Sequence, residues 1–231
     1  MHLELPKTRI HSLKDFAKHY LMIVLSILTA LGLEAWIEHT HHTHAAEVAS
    51  QQIEAELQGT LVDVRSCMQN NLKGLESLKA LDASVTQDIK AGLPSTVINQ
   101  HIQAHKDQFT INMSWPNLPS QAWDVSVANQ SASWIDTASL RRYSNAYAKQ
   151  RIENAWITQD SPALNASHML ALRTRIDLSL DVDPVDYLTV LHQMIATVDR
   201  TQSLLGQLEL QLVSTLPGSD KGAKLAAART P

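Results

Sequence analysis

A chain of 231 residues with a formal charge of −4 and a pI near 6.2 has room for one or two compact units and lacks the basic face expected of a nucleic-acid surface. With 44% hydrophobic and 18% charged residues it can bury a core, which excludes a chain disordered throughout. One cysteine, Cys67, excludes an intrachain disulfide, and sparse Gly and Pro among Ala-, Leu-, Gln- and Glu-rich stretches favour helix over strand.

The first 15 residues form a basic tail carrying Lys7, Arg9 and Lys14. From His19 to Leu33 the sequence has no Asp, Glu, Lys or Arg. Extending this run from Phe16 to Ile37 gives 22 residues, about 33 Å of helix and enough to cross a bilayer core. Lys18 can snorkel at one end, and Ala35, Trp36 and Ile37 continue the apolar pattern past Glu34 at the other. A buried helix of a soluble protein would show a stripe, whereas apolar residues here run all round. A cleavable signal would use Ala30-x-Gly32, yet helical character continues beyond Ile37. The expectation is an uncleaved span at 16–37. Lys7, Arg9, Lys14 and Lys18 precede it, and the next Lys or Arg is Arg65. The positive-inside rule then puts the N-terminus in the cytoplasm and the remainder across a bacterial inner membrane, in the periplasm.

Residues 38–94 read as a juxtamembrane exit and one long amphipathic helix with the stripe Ile53, Leu57, Leu61, Val64, Met68, Leu72, Leu75, Leu78 and Leu81. Gly59 and Gly74 are expected weak points, and Pro94 ends the pattern. Residues 95–216 read as a helical domain with an aromatic-rich lobe. Ser95 caps a helix to about Lys106, Ser120 one to about Asn129, and Asp136 one to about Ile157. A helix from Ala163 to Leu180 precedes Asp183-Pro184, an N-cap and N1 proline opening a long helix to Leu216. Residues 217–231, rich in Lys, Ala and Gly, read as a disordered tail. The expected fold is therefore all-α: a transmembrane helix, a long helix and an antiparallel helical bundle in which first and last helices pair.

Two motifs carry a family resemblance. One is Leu31-Gly-Leu-Glu34-Ala-Trp36-Ile-Glu38-His39 at the end of the span. The other is Ala122-Trp123-Asp124-Val-Ser-Val-Ala, followed by Leu140 to Tyr147. Together they resemble a group of bacterial single-span proteins of unknown function with a span ending in Glu-x-Trp and a helical extracytoplasmic domain. The resemblance implies that topology and no reaction.

Among candidate sites, Glu34, Glu38 and His41 fall within about 60° of one another on a helix, with His42 beside them. Carboxylate with imidazole suits Zn²⁺ or Cu²⁺. The plainer reading is a polar collar in the headgroup region with Trp36 as interfacial anchor. His101 and His105 have metal spacing, but Ile102 stands where the zinc-protease motif needs glutamate. Glu34, Trp36, Trp123, Trp134, Tyr143 and Tyr147 are candidate interaction residues; Trp123, Trp134, Tyr143 and Tyr147 serve otherwise as lobe core, and Glu34 as a carboxylate snorkelling to water. No Gly-rich phosphate loop, G-x-S-x-G elbow or Cys-x-x-Cys pair occurs. The expectation is a non-enzymatic interaction module in contact with membrane lipid. It self-associates or joins a larger membrane complex, with a sensor or ligand-binding domain and a metal-binding protein as the alternatives.

Overall fold

The computed structural model describes residues 13–160 and 166–216. The expected basic tail is thus described only from Leu13, the tail at 217–231 lies outside the described residues, and so does the expected helix start at Ala163. Among the described residues the fold is all-helical, as the composition implies. The elements are α1 (Leu13–Lys90), α2 (Ser95–Ala104), a 3₁₀ turn (Lys106–Gln108), α3 (Gln121–Ala128), a second 3₁₀ turn (Ser131–Trp134), α4 (Thr137–Ala155), a π turn (Trp156–Asp160), α5 (Ala166–Asp177) and α6 (Pro184–Thr215).

α1 has 78 residues, about 117 Å of unbroken helix. The apolar span and the amphipathic stretch are one element, and it passes through Gly59 and Gly74 without interruption. Its apolar N-terminal part is long enough to cross a membrane, and none of its most apolar window is buried. The far end stops where the chain chemistry requires it. Gly92 adopts φ +70, which lets its N–H reach Ile89 O at 3.0 Å and the Leu93 N–H reach Asp88 O at 3.2 Å. This paired closure satisfies orphan carbonyls of the last turn, and Pro94 prevents resumption.

α6 returns antiparallel along α1, as expected for the first and last helices. Arg65 Nε lies 2.7 Å from Glu209 Oε1, His192 Nε2 lies 2.7 Å from Asp82 Oδ1, and Gln202 donates to Met68 O at 2.8 Å. Two apolar cores stack along the pair. The lower core, next to the apolar N-terminal part of α1, joins Ile53, Leu57, Leu61 and Val64 to Tyr143, Tyr147, Leu208 and Leu212. The upper core joins Leu75, Leu78, Leu81 and Val85 to Ile102, Phe109, Ile176, Tyr187 and Leu191.

Between the cores the stripe is not the one expected. Leu72 is exposed and Met68 half-buried, while Cys67 and Asn71 face inward. The inward line runs Val64, Cys67, Asn71, Leu75, because Asn71 is held by a polar bargain that periodicity of apolar residues does not register. Its amide donates to Ser114 O at 3.0 Å and accepts from Ser114 N at 2.7 Å, clamping the extended segment before α3. Asn99 does the same to Val182, donating at 3.0 Å and accepting at 2.8 Å. Each clamp supplies the ladder bonds that an extended segment packed on helices otherwise lacks. The inward Cys67 thiol is pushed up in pKa by burial, with Asp63 adding to it, as suits a small packing residue.

The caps at α4 and α6 fall where expected. Asp136 accepts from Ala138 N and Ser139 N, and Asp183 from Val185 N and Asp186 N. Two differ. Ser95 lies inside α2, whose N-cap position is Pro94 with no side-chain bond. Ser120 occupies the N-cap of α3, but its hydroxyl donates to the Asp124 carboxylate at 2.8 Å instead of accepting from the backbone.

A candidate interaction site at the base of the bundle

Where α1 leaves its apolar stretch, Glu34, Trp36, Glu38, His39, His41 and His44 are exposed and His42 is half-buried. His42 is the one that meets the bundle. Its Nε2 lies 3.4 Å from Glu38 Oε1, one turn back. Its ring stacks on Trp134 with centroids 3.5 Å apart and planes 11° from parallel. Of the expected ligand set, then, Glu38 and His42 are brought together, while Glu34 and His41 remain on the exposed side of α1. Among the described residues no three His, Cys, Asp or Glu side chains converge as a metal cage would require. His101 and His105 are likewise engaged separately. His101 Nδ1 lies 2.7 Å from Asp88 Oδ2, and His105 Nδ1 lies 2.9 Å from His101 O.

Trp134 reaches His42 because a tight turn delivers it there. Gln130 takes a left-handed conformation, φ 65. Asn129 Oδ1 accepts from Ser131 N at 3.0 Å, and the Ser131 hydroxyl donates to Ser126 O at 3.3 Å. Ile135 is then buried, and Asp136 opens α4. The indole stays 50% exposed in spite of the stack, so half of a large apolar ring is left uncovered at the lowest point of the bundle.

The other aromatics of the lobe divide by role. Tyr143 and Tyr147 are core residues of α4, each 1% exposed. Their hydroxyls donate at 2.6 Å to Glu54 Oε1 and Glu56 Oε1, and Glu56 Oε2 also accepts from Ala122 N at 3.0 Å. One carboxylate of α1 thereby fixes both α4 and the first turn of α3. Burial and the Glu54 carboxylate push the Tyr143 pKa up to about 12, and burial with Glu56 raises that of Tyr147 further. Both therefore stay neutral donors at ordinary pH, with the two glutamate carboxylates as their acceptors.

Trp123 is half-buried, tilted against Tyr147 at 5.4 Å between centroids. With Val127, Ala132, Leu140 and Arg141 it lines an open groove of about 470 Å³ between α3, the 3₁₀ turn and α4. Of the expected interaction residues, Trp123 and Trp134 thus reach the surface of the lobe, Tyr143 and Tyr147 do not, and Glu34 and Trp36 sit on α1 below it. Sequence reading missed Glu54 and Glu56. Their signal is weak: two acidic residues beside the stripe at Ile53 and Leu57, indistinguishable in pattern from solvated ones.

A further polar group lies where α4 meets α6. Gln150 is 3% and Glu153 1% exposed. The Gln150 amide atoms have no hydrogen-bond partner, and Lys149 Nζ lies 3.2 Å from Glu153 Oε1. Burial raises the Glu153 pKa, against the pull of Lys149 and Arg200.

No protein-family model matches the chain, and no curated protein or solved structure matches it either.

Proposed function

We propose that the chain is a single-span membrane protein whose helical domain acts as an interaction module, associating with further copies of itself or serving as accessory subunit of a larger membrane complex. The N-terminus lies in the cytoplasm and the bundle outside, in the periplasm of a bacterial envelope. The grouping of Lys7, Arg9, Lys14 and Lys18 before the apolar stretch supports that orientation. The resemblance to single-span proteins with a Glu-x-Trp span end agrees with it.

One observation carries the reading: α1 is a single helix from the apolar stretch through both cores. A continuous helix joins the bundle to the membrane without a hinge, so a partner bound along the bundle is held at a fixed height and orientation. Counted from Ile37 to Lys90, the domain extends about 80 Å along the axis of α1. The groove at Trp123 and Leu140 and the exposed Trp134 supply apolar surface of the kind that protein partners cover.

Photo-crosslinkers placed at Trp123 and Leu140 in native membranes test the proposal. Adducts with a second copy or another polypeptide are expected. A chain that yields no adduct and purifies as a monodisperse monomer overturns the proposal. A sensor reading rests on the same groove, since a ligand held there is coupled to the span by α1. Ligand-dependent protection of the groove without any protein adduct favours it.

A further inference from the structure

Because α1 does not break between the apolar stretch and the bundle, distance along its axis measures height above the bilayer. With the hydrocarbon boundary at Ile37, His42 stands about 7.5 Å higher, at 1.5 Å per residue. Trp134 is stacked on His42 and shares that height. The headgroup layer of one leaflet is about 5–7 Å deep, and spans commonly tilt by about 20°. The turn Ser131–Trp134 projects to one side of α1, so a tilt towards that side brings the indole into the layer.

The chemistry of the turn suits that position. Trp134 is 50% exposed, and Val127 and Val125 on the adjoining α3 are exposed as well. An indole with one apolar body and one N–H is the side chain that settles at the boundary of acyl chain and headgroup. Trp36, exposed on α1, lies about 120° round the helix from His42, so the two indoles flank the helix on different sides. Asp136 follows the turn and Glu38 lies beside His42, Arg141 lines the groove next to Ala132 and Ser133, and α1 carries no Lys or Arg from His19 to Val64. With carboxylates and one guanidinium beside the turn and no run of cations, the surface suits a zwitterionic interface better than an anionic one.

We propose that Trp134 is a second interfacial anchor, seating the base of the bundle in the headgroup layer of the leaflet from which α1 emerges; this rests on the reading of α1 as a span. Two anchors on different sides of one helix fix its tilt and rotation. The lever is long: a change of about 10° at the base swings the Lys90 end by about 14 Å over its 80 Å reach. Loss of Trp134 therefore alters where the far end of the bundle stands without altering its fold.

The test uses the full chain in phosphatidylcholine vesicles, with and without lipid brominated near the headgroup end of the acyl chain. Comparing wild type with Trp134→Phe isolates the quenching due to Trp134, and Trp36→Phe isolates that due to Trp36. The expected result is that bromolipid quenches both shares, Trp134's by at least half as much as Trp36's. Quenching of the Trp36 share alone overturns the inference and leaves the span standing; quenching of neither overturns both. Should Trp134→Phe lose helicity, a nitroxide at Ser133→Cys in a Cys67→Ser background gives the same depth with the indole in place. Collision with a water-soluble relaxant as free as that of an exposed site then overturns the proposal, and shielding from it supports it.

Discussion

Glu56 is the residue through which α1 organises the lobe, and replacing it has a calculable effect. Glu56→Ala removes the acceptor of the Tyr147 hydroxyl and of Ala122 N at the start of α3. A hydrogen bond to a charged group contributes about 1.5–3 kcal/mol, and the phenol left behind is buried and unpaired. Loss of an acceptor in the first helical turn adds about 1 kcal/mol. Glu56 is only half-buried, so water reaches part of the vacated space and the lower end applies: about 3 kcal/mol in all. For a domain of this size the melting temperature then falls by about 6–12 °C. Tyr147→Phe removes one bond and leaves no orphan donor, with an expected cost of about 1.5 kcal/mol. Once Glu56 is gone the hydroxyl has nothing to bond, so adding Tyr147→Phe to Glu56→Ala costs little more. Thermal unfolding of the full chain in nanodiscs, followed by circular dichroism at neutral pH, measures all four corners of the cycle. The reasoning fails if Glu56→Ala stays within about 0.5 kcal/mol of wild type, or if the two single effects simply add.

Other expectations rest on separate parts of the fold. Asn99→Ala leaves Val182 N–H and C=O without their clamp and is expected to destabilise by about 2–3 kcal/mol in chemical denaturation. Leu208→Ala, at a fully buried site of the lower core, costs about 2–5 kcal/mol by the same assay. Tyr187→Phe contrasts with Tyr147→Phe: the Tyr187 hydroxyl is buried without a partner, so its removal leaves stability unchanged or raises it by about 1 kcal/mol, and a clear loss would contradict that assignment. The raised pKa of Glu153 means the folded state holds its proton more tightly than the unfolded one. Its favourable contribution is then complete below the ordinary value of 4.5 and is lost as pH rises through the folded pKa. Glu153→Gln is expected to raise the melting temperature at neutral pH and to narrow the difference between acid and neutral pH. Lys149 still has Gln207 Oε1 at 2.9 Å, so the substitution strands no cation.

Most of the architecture is legible in the chain because its signals are local. Asp136 and Asp183-Pro184 mark helix starts by groups that must be satisfied within a few residues, and the Gly92-Leu93-Pro94 stop is equally local. The pairing of α1 with α6 follows from two long stripes that have only each other's length to cover. What escaped is what depends on distant partners. Asn71 faces inward in place of Leu72 only because Ser114, 43 residues later, offers both a donor and an acceptor. Glu54 and Glu56 acquire their roles only when α4 brings two phenols against them. At the base, Trp36, Glu38 and His42 stand out in the sequence as candidates for a polar collar with an aromatic anchor. That Trp134 would join them could not be read, since the contact spans 92 positions from His42 to Trp134 and is built by a turn with a left-handed Gln130. Ser95 and Ser120 show the opposite failure, in which a local rule was followed by the sequence but another partner took the group.

The central claim is that this is an anchored module whose bundle engages another polypeptide. Its most direct test is the mass of the particle released from native membranes in nanodiscs, measured by native mass spectrometry with every polypeptide identified. A mass above that of one chain is expected, made up of further copies or of a distinct membrane partner. A particle holding one copy and no other protein, from membranes in which the chain is intact, would contradict it.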